Sequence, residues 1–527
     1  MKMITLQIDG REVSVGPGST ILDAARKLGI DIPTLCHLEG QPPFGSCMAC
    51  AVKVNGSDRF VPSCATKAAD GMVVESETDE VRAERRTAIE LLLGDHLGDC
   101  VAPCEMACPA HMAIPKMIRQ IESGRIREAA AIVKQHIALP AVLGRICSAP
   151  CEKACRRAGV DEPVSICLLK RFAADEDLAG ETWQPQCARP SGRSVAIIGA
   201  GPAGLAAAYH LLQRGHACTL FDAHEQAGGA LRYSIDAARL PREVLDAEIG
   251  LIEKLGAVFR LGVSVGEKPS LDDLRREFDA VAAASGADGG GIAAAVGPVD
   301  RQTLAAGASG VFAAGAAAGK MNQAVRAVAH GRMVAASVDQ YLGGSEVTGQ
   351  SRPFSVHMGK LSEAELAQFA ADASEAGRTI PAGGPHTNFT YEEARAEAAR
   401  CLRCDCRKRD NCALRDWAQT CGADASRFRL ERREYERQDC HAEVIYEPGK
   451  CIKCGICTRI TQQAGEELGL TFVGRGFSVR VAVPLGAELS EGLRKAAAEC
   501  VRMCPTGALA FKDKVLVQQD ESAETSR

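Results

Sequence analysis

A cationic excess is the first thing this sequence lacks. Its 62 Lys and Arg face 67 Asp and Glu, giving a net charge of -5 and a pI near 6.2, which removes the electrostatic case for a nucleic-acid partner. No apolar run approaches bilayer length, so no membrane span is expected. The first ten residues alternate like a strand and carry no apolar signal core, so a cytoplasmic chain is expected. There is no nucleophile elbow, no catalytic metal triad and no convincing acid–base pair, which argues against chemistry done by side chains alone. Aromatics make up only 4%, while glycine (52) and alanine are abundant, a composition suited to nucleotide-binding α/β units and close-packed loops. At 527 residues the expectation is roughly three to four domains.

Cysteine is what the chain has in quantity, with 24 copies. In an intracellular chain that number points to metal ligands before disulfides. The densest stretch is 96–172. It reads His96-x3-Cys100-x3-Cys104-x3-Cys108-Pro109, then a helical run, then Cys147-x3-Cys151-x3-Cys155, then Ile166-Cys167-Leu168-Leu169-Lys170. Cysteine thiolates hold iron–sulfur clusters, and spacings of three place successive sulfurs on one face of a turn or short helix. Seven cysteines and one histidine supply eight ligands, enough for two four-iron clusters. The alternatives are a zinc site or a disulfide set. Zinc usually takes paired CxxC units, and disulfides need an oxidising compartment.

The segments 108–115 (CysProAlaHisMetAlaIlePro), 139–147 and 150–157 resemble the two-cluster helical domain of the glutamate synthase small subunit and of dihydropyrimidine dehydrogenase. The resemblance implies one cluster on Cys100, Cys104 and Cys155 and another on Cys108, Cys147 and Cys151. The fourth ligands depart from that pattern. The family cysteine before Cys100 falls on Leu97, which cannot ligate; His96 is adjacent, and His-x3-Cys resembles a cluster motif of the respiratory complex I large subunit. The family's side-chain amide ligand falls on Lys170, and Cys167, one helical turn earlier, is the better candidate.

Upstream, residues 3–8 and 11–15 alternate around Asp9-Gly10, a hairpin signal, and a helix is expected over 20–28. Then comes Cys36-x10-Cys47-x2-Cys50-x13-Cys64, with Gly45 and Ser46 able to turn amides toward sulfur. This spacing resembles the [2Fe–2S] domain that opens the complex I large subunit and iron-only hydrogenases. A zinc ribbon would need two CxxC pairs, and only Cys47/Cys50 is one. A helix is expected over 80–93, a helix–turn–helix over 114–138 broken at Ser123-Gly124, and a linker over 173–192 that contains Cys187.

From 195 the pattern becomes strand, glycine turn and helix: Val195-Ala-Ile-Ile-Gly199-Ala-Gly201-Pro-Ala-Gly204. It is the dinucleotide fingerprint, in which a pyrophosphate rests on the helix N-terminus. A second strand, 217–221, ends in Asp222, positioned to accept a ribose hydroxyl; Cys218 within it reads as core. The run Gly228-Gly229-Ala-Leu-Arg232-Tyr233 resembles the glutamate-synthase family's flavin-side loop. The chain then passes through Ser285-Gly286 and Gly289-Gly290-Gly291 to Gly310-Val-Phe-Ala-Ala-Gly315-Ala316, similar to that family's closing flavin motif. Ala316 stands where the family has an acid, and Asn322 and Gln323 are candidate substitutes. No room remains for the family's NAD(P)H domain, so FAD is expected without it.

After a mostly linker-like stretch (341–388) with one amphipathic helix over 362–376, a helix over 391–400 delivers Cys401-x2-Cys404-x-Cys406-x5-Cys412. Four cysteines in twelve residues suit a third four-iron cluster, and the CxC step also suits zinc. Cys421 and Cys440 are spare. Last comes Cys451-x2-Cys454-x2-Cys457 with Cys500-x3-Cys504-Pro505, which resembles a bacterial ferredoxin fold with one cluster on Cys451, Cys454, Cys457 and Cys504. Thr461 replaces a ligand of the second cluster.

The expected fold is therefore α/β multidomain: a β-grasp [2Fe–2S] domain (1–80), a helical double-cluster domain (81–180), a Rossmann-like FAD domain lacking its NAD(P)H domain (193–342), a linker (343–390), a Cys-rich segment (391–440), a ferredoxin-like domain (441–513) and a tail (514–527). The cofactors expected are one [2Fe–2S], four [4Fe–4S] and FAD. Such a chain reads as an electron-transfer subunit. Its partners would be NADH-dehydrogenase-type FMN/iron–sulfur subunits or a ferredoxin, and a catalytic subunit of formate dehydrogenase, hydrogenase or tungsten aldehyde oxidoreductase type. A self-sufficient NAD(P)H-dependent flavoprotein and an electron-bifurcating one are the alternatives.

Overall fold

The computed structural model describes residues 3–266, 268–286, 291–384 and 387–512. The chain forms two compact units. One comprises Met1–Val101, Pro353–Gln368 and Asp405–Arg527; the other comprises Ala102–Arg352 and Phe369–Cys404. In sequence the second is an insertion in the first, and the two are called the inserted and host units below.

The host unit opens with the hairpin β1 (Ile4–Ile8) and β2 (Arg11–Val15), in register Ile4 opposite Val15. Asp9 and Gly10 both take left-handed backbone (φ 49° and 74°), the turn that matches strand twist. With β3 (Ala51–Val54), β4 (Phe60–Pro62) and β5 (Val73–Glu75) they make a mixed sheet in the order β2-β1-β5-β3-β4. The helix Ile21–Lys27 is capped reciprocally by Thr20 and Asp23, and its Ile21, Leu22, Ala24 and Ala25 pack with Leu6, Ile8, Val13 and Val74. A helix over Asp79–Gly94 follows.

The inserted unit starts with six helices, Pro103–Ala107, Ile114–Glu122, Ile126–Lys134, Pro140–Ile146, Pro150–Lys153 and Ile166–Ala179. Then β6 (Ser194–Ile198), β7 (Ala217–Asp222), β8 (Val258–Leu261), β9 (Ala280–Ala283) and β10 (Val311–Ala313) form a parallel sheet ordered β10-β9-β6-β7-β8. The order reverses at β6, so the loop leaving β6 opens at a topological switch point, where such sheets bind ligands. The helices Pro202–Gln213 and Ala324–Leu342 pack tightly: a Cβ at Gly331 would stand 2.3 Å from the Ala203 carbonyl.

Back in the host unit, β11 (Val444–Tyr446) pairs antiparallel with β14 (Leu509–Phe511), and β12 (Thr471–Val473) with β13 (Arg480–Ala482). The helices Ile456–Gln463 and Ala497–Met503 pack together beside them. Among the described residues no helix is long and apolar enough to cross a membrane.

Two expected linkers are corrected. The acidic start of 173–192 is helical to Ala179, because Asp175 pairs with Arg145 at 2.7 Å and buried Asp177 with buried Lys134. The stretch 353–361 is core rather than linker: Val356, Met358 and Leu361 are buried, and the Met358 amide donates to Asp99 at 3.0 Å. The helix that follows is shorter than expected, Glu363–Ala370. The tail from 514 and the glycines at 289–290 lie outside the described residues.

Candidate cofactor sites

Cys36, Cys47, Cys50 and Cys64 converge in the host unit. The Cys50 and Cys64 sulfurs are 3.4 Å apart, and Cys36 lies within hydrogen-bonding reach of Cys47 and Cys64. Those sulfur contacts, with the Cys47 and Ser46 amides, hold the Cys36 thiol far below its ordinary pKa. Contact with Cys64 likewise lowers Cys50 to about 6. The loop turns its amides toward sulfur, as Gly45 and Ser46 suggested, with Gly45 left-handed at φ 67°.

A second set lines one cavity: Cys451, Cys454, Cys457 and Cys504, with Tyr446, Ile456 and Val481 as apolar wall. Burial pushes Cys451 up to about 11 and Cys457 well above the ordinary thiol value. Such a pocket disfavours free thiolates and is suited to a cationic iron core that reverses the penalty.

A third cavity holds His96, Cys100, Cys406 and Cys412, with Arg409, Arg415 and Lys450 around them. Burial and the neighbouring Lys450 push His96 down to about 4, leaving a neutral imidazole, the form that ligates. His96 Nδ1 is buried without a hydrogen-bond partner. Burial pushes Cys412 up to about 12. Gly507 is required here: a Cβ there would meet the Cys406 sulfur at 2.3 Å. His96 and Cys100, expected from the resemblance with Cys104 and Cys155, thus line one host-unit cavity together with Cys406 and Cys412, expected from their spacing with Cys401 and Cys404.

These three host-unit sets adjoin. Arg459, on the helix behind Cys457, donates to the Cys36 carbonyl at 2.9 Å and the Pro42 carbonyl at 2.8 Å. A Cβ at Gly455 would meet the Phe44 ring at 3.2 Å. On the other side, the Leu414 amide donates to Pro505 at 3.1 Å, and Lys408 donates to the Cys504 carbonyl at 2.5 Å. Lys450 lines the third cavity while its neighbour Cys451 lines the second.

In the inserted unit, Cys167 lies within hydrogen-bonding reach of Cys147 and Cys151. Cys108 joins them around Lys170, whose Nζ is 3.9 Å from the Cys167 sulfur. Burial works against the Lys170 charge, and the four surrounding sulfurs outweigh it, so its pKa rises. Cys104, Cys155 and Cys401 pack on the same core. Arg157, just past Cys155, donates to the Arg400 carbonyl at 3.1 Å and so ties the Cys401–Cys404 turn to the Cys155 loop. Among the described residues no three His, Cys, Asp or Glu side chains close round a single metal ion.

At the switch point, the Ala200 amide donates to Asp222 Oδ2 at 2.7 Å, and Asp222 Oδ1 accepts from the His224 amide at 2.9 Å. A Cβ at Gly204 would fall 1.9 Å from the Gly199 carbonyl, and one at Gly229 would fall 2.8 Å from Gly201 Cα, so the two glycine loops meet closely. Gly315 packs on Ala203. Arg232 is tied to Asp246 and to the Ala227 carbonyl, and Asn322 is exposed. Sequence reading missed Ser285: its hydroxyl is buried without a partner, and its amide lies beside Gly199. The signal was a polar residue two positions after the buried strand 280–283.

These features define an iron–sulfur protein carrying a dinucleotide-binding unit. Three family models match: the 2Fe-2S iron-sulfur cluster binding domain over 1–79, dihydropyrimidine dehydrogenase domain II with a 4Fe-4S cluster over 97–182, and the NAD(P)-binding Rossmann-like domain over 197–255. Among curated relatives, the NADP(+)-dependent formate dehydrogenase subunit beta of Moorella thermoacetica is 45% identical over 35% of this chain and 29% of its own length. The NADPH-Fe(3+) oxidoreductase subunit beta of Geobacter sulfurreducens is 40% identical over 35% and 28%. The NAD-dependent dihydropyrimidine dehydrogenase subunit PreT of Escherichia coli is 42% identical over 36% and 46%. The matches span less than half the length of each relative.

Proposed function

We propose that this chain is the iron–sulfur electron-transfer subunit of a multisubunit oxidoreductase. It would relay electrons between a NADH-dehydrogenase-type flavoprotein and a catalytic subunit of formate dehydrogenase, hydrogenase or tungsten aldehyde oxidoreductase type. The observation that carries this reading is the run of three adjoining ligand sets in the host unit, since closely spaced centres make a conducting path. The names of the relatives, two of them beta subunits, support it.

In this reading the ligand sets are Cys36/Cys47/Cys50/Cys64 for a [2Fe–2S] centre and four sets for [4Fe–4S] centres. The four are His96/Cys100/Cys406/Cys412, Cys104/Cys155/Cys401/Cys404, Cys108/Cys147/Cys151/Cys167 and Cys451/Cys454/Cys457/Cys504, the last on a ferredoxin-like C-terminal domain. FAD would occupy the switch point, with its pyrophosphate over the N-terminus of the helix Pro202–Gln213. A second reading, a self-sufficient NAD(P)H-dependent oxidoreductase, is favoured by one finding, the match of 197–255 to the NAD(P)-binding Rossmann-like model.

Anaerobically purified chain is expected to hold about 18 iron atoms. NADH should bleach its clusters only after the NADH-oxidising flavoprotein is added. Rapid reduction by NADH of the chain alone would replace this reading with the second.

A further inference from the structure

Lys450 and Lys170 both lie buried beside cysteine sets, and their surroundings differ. Lys450, near Cys406, is paired with Glu447 at 2.5 Å. Lys170 is as deeply buried, 4% exposed, yet no carboxylate among the described residues pairs with it. Its one hydrogen bond runs to the Cys167 sulfur at 3.9 Å, and the negative groups around it are the sulfurs of Cys167, Cys147, Cys151 and Cys108. The arginines near the other inserted-unit set are neutralised: Arg157 by Asp161 at 2.6 Å, Arg400 by Glu397 at 2.9 Å, Arg403 by Glu122 at 2.7 Å. An unpaired buried charge is costly to fold around. The cost is offset if an anionic group belongs beside it.

We propose that Lys170 is the built-in counter-ion of the centre held by Cys108, Cys147, Cys151 and Cys167, and that it makes this centre the stronger electron acceptor of the inserted unit's pair. The proposal rests on the cluster reading above. A four-thiolate cluster gains one negative charge when it takes one electron from a one-electron donor; no bond forms or breaks. A fixed ammonium a few ångströms away favours the reduced form, and net charge near the sulfurs is a recognised lever on cluster potential. Lys170 acts through the cluster, so it is a positioning residue for charge and not a catalytic one.

The test is a dithionite titration of the full chain followed by electron paramagnetic resonance, with iron counted in every sample. Cys167→Ala identifies which signal belongs to this centre. Lys170→Met, with iron retained, is expected to lower the reduction equilibrium constant of that signal at least tenfold, 59 mV for a one-electron couple. Lys170→Arg should leave it within tenfold of the parent. A Met variant with full iron and an unmoved midpoint overturns the proposal. If the Met variant loses iron, the Arg variant decides: full iron with a preserved midpoint supports the counter-ion, and a midpoint displaced more than tenfold rejects it. A parent chain short of iron, with no signal lost on Cys167→Ala, is a separate result: it overturns the cluster reading itself and the counter-ion with it.

Discussion

Two short segments of this chain are near copies. Glu397-Ala-Ala-Arg400-Cys401-Leu-Arg403-Cys404 lies in the inserted unit, and Glu447-Pro-Gly-Lys450-Cys451-Ile-Lys453-Cys454 in the host unit. Each begins with a buried ion pair three residues apart, 2.9 Å in the first and 2.5 Å in the second. In each, the third residue of the Cys-x2-Cys turn is left-handed, Arg403 at φ 49° and Lys453 at φ 56°. In each, that residue's amide donates to the first cysteine's sulfur, at 3.5 and 3.4 Å. The next cysteine along then separates them. Cys457 stays with Cys451 and Cys454 in one cavity, whereas Cys406, two residues after Cys404, lines a cavity with His96, Cys100 and Cys412. The local segment builds an amide-lined turn; which distant sulfurs complete the set is decided elsewhere.

The largest expected effect tests that difference directly. Cys404→Ala and Cys406→Ala should each remove about four irons, and different paramagnetic signals should vanish in the two variants. Loss of the same signal from both would restore the grouping expected from their spacing. Next come the ion pairs. Glu447→Ala strands buried Lys450, costing about 3–5 kcal/mol by denaturant unfolding, whereas Glu397→Ala leaves Arg400 its 3.0 Å pair with Asp161 and should cost less. The Glu397 change should perturb the Cys401/Cys404 signal and spare that of Cys451/Cys454.

Two buried glutamates, one in each unit, should respond to pH with opposite sign. Glu248 in the inserted unit accepts from the Ala141 and Val142 amides at 2.8 and 2.9 Å, and burial raises it to about 7. Its folded pKa lies above its unfolded one, so its contribution is fully present below the ordinary carboxylate range and is lost as pH rises to about 7. The loss is about 3 kcal/mol, and Glu248→Gln should flatten the melting-temperature profile over that window. Glu447 is also buried, but Lys450 and Arg407 overcome that burial and hold its pKa down. Its contribution is therefore present above the ordinary carboxylate range and lost only as pH falls through the lowered value. The smallest effect is at the caps: Thr20→Ala in the host unit and Thr390→Ala in the inserted unit each remove a reciprocal cap and should cost about 1 kcal/mol.

Much of this was legible in the residues. The hairpin at Asp9-Gly10, the helix break at Gly124 and the parallel-sheet fingerprint at 195–204 follow from turn chemistry and periodicity. The acidic helix at 173–179 was not legible, because its charges are matched by Arg145 and Lys134 from other helices. Nor was Val356-His357-Met358, whose backbone partner is Asp99, far away in the chain.

What the sequence by itself determined is the inventory: where cysteines and a histidine recur at close spacing, and where the glycines open a strand for a dinucleotide. Those are local matters of side-chain chemistry and backbone freedom. Only the tertiary structure decided how His96, Cys100, Cys406 and Cys412 come together, since a whole unit is inserted between Cys100 and Cys406. Spacing records neighbours along the chain. A ligand set belongs to neighbours in space, and burying sulfur, imidazole and lysine in a common interior selects them.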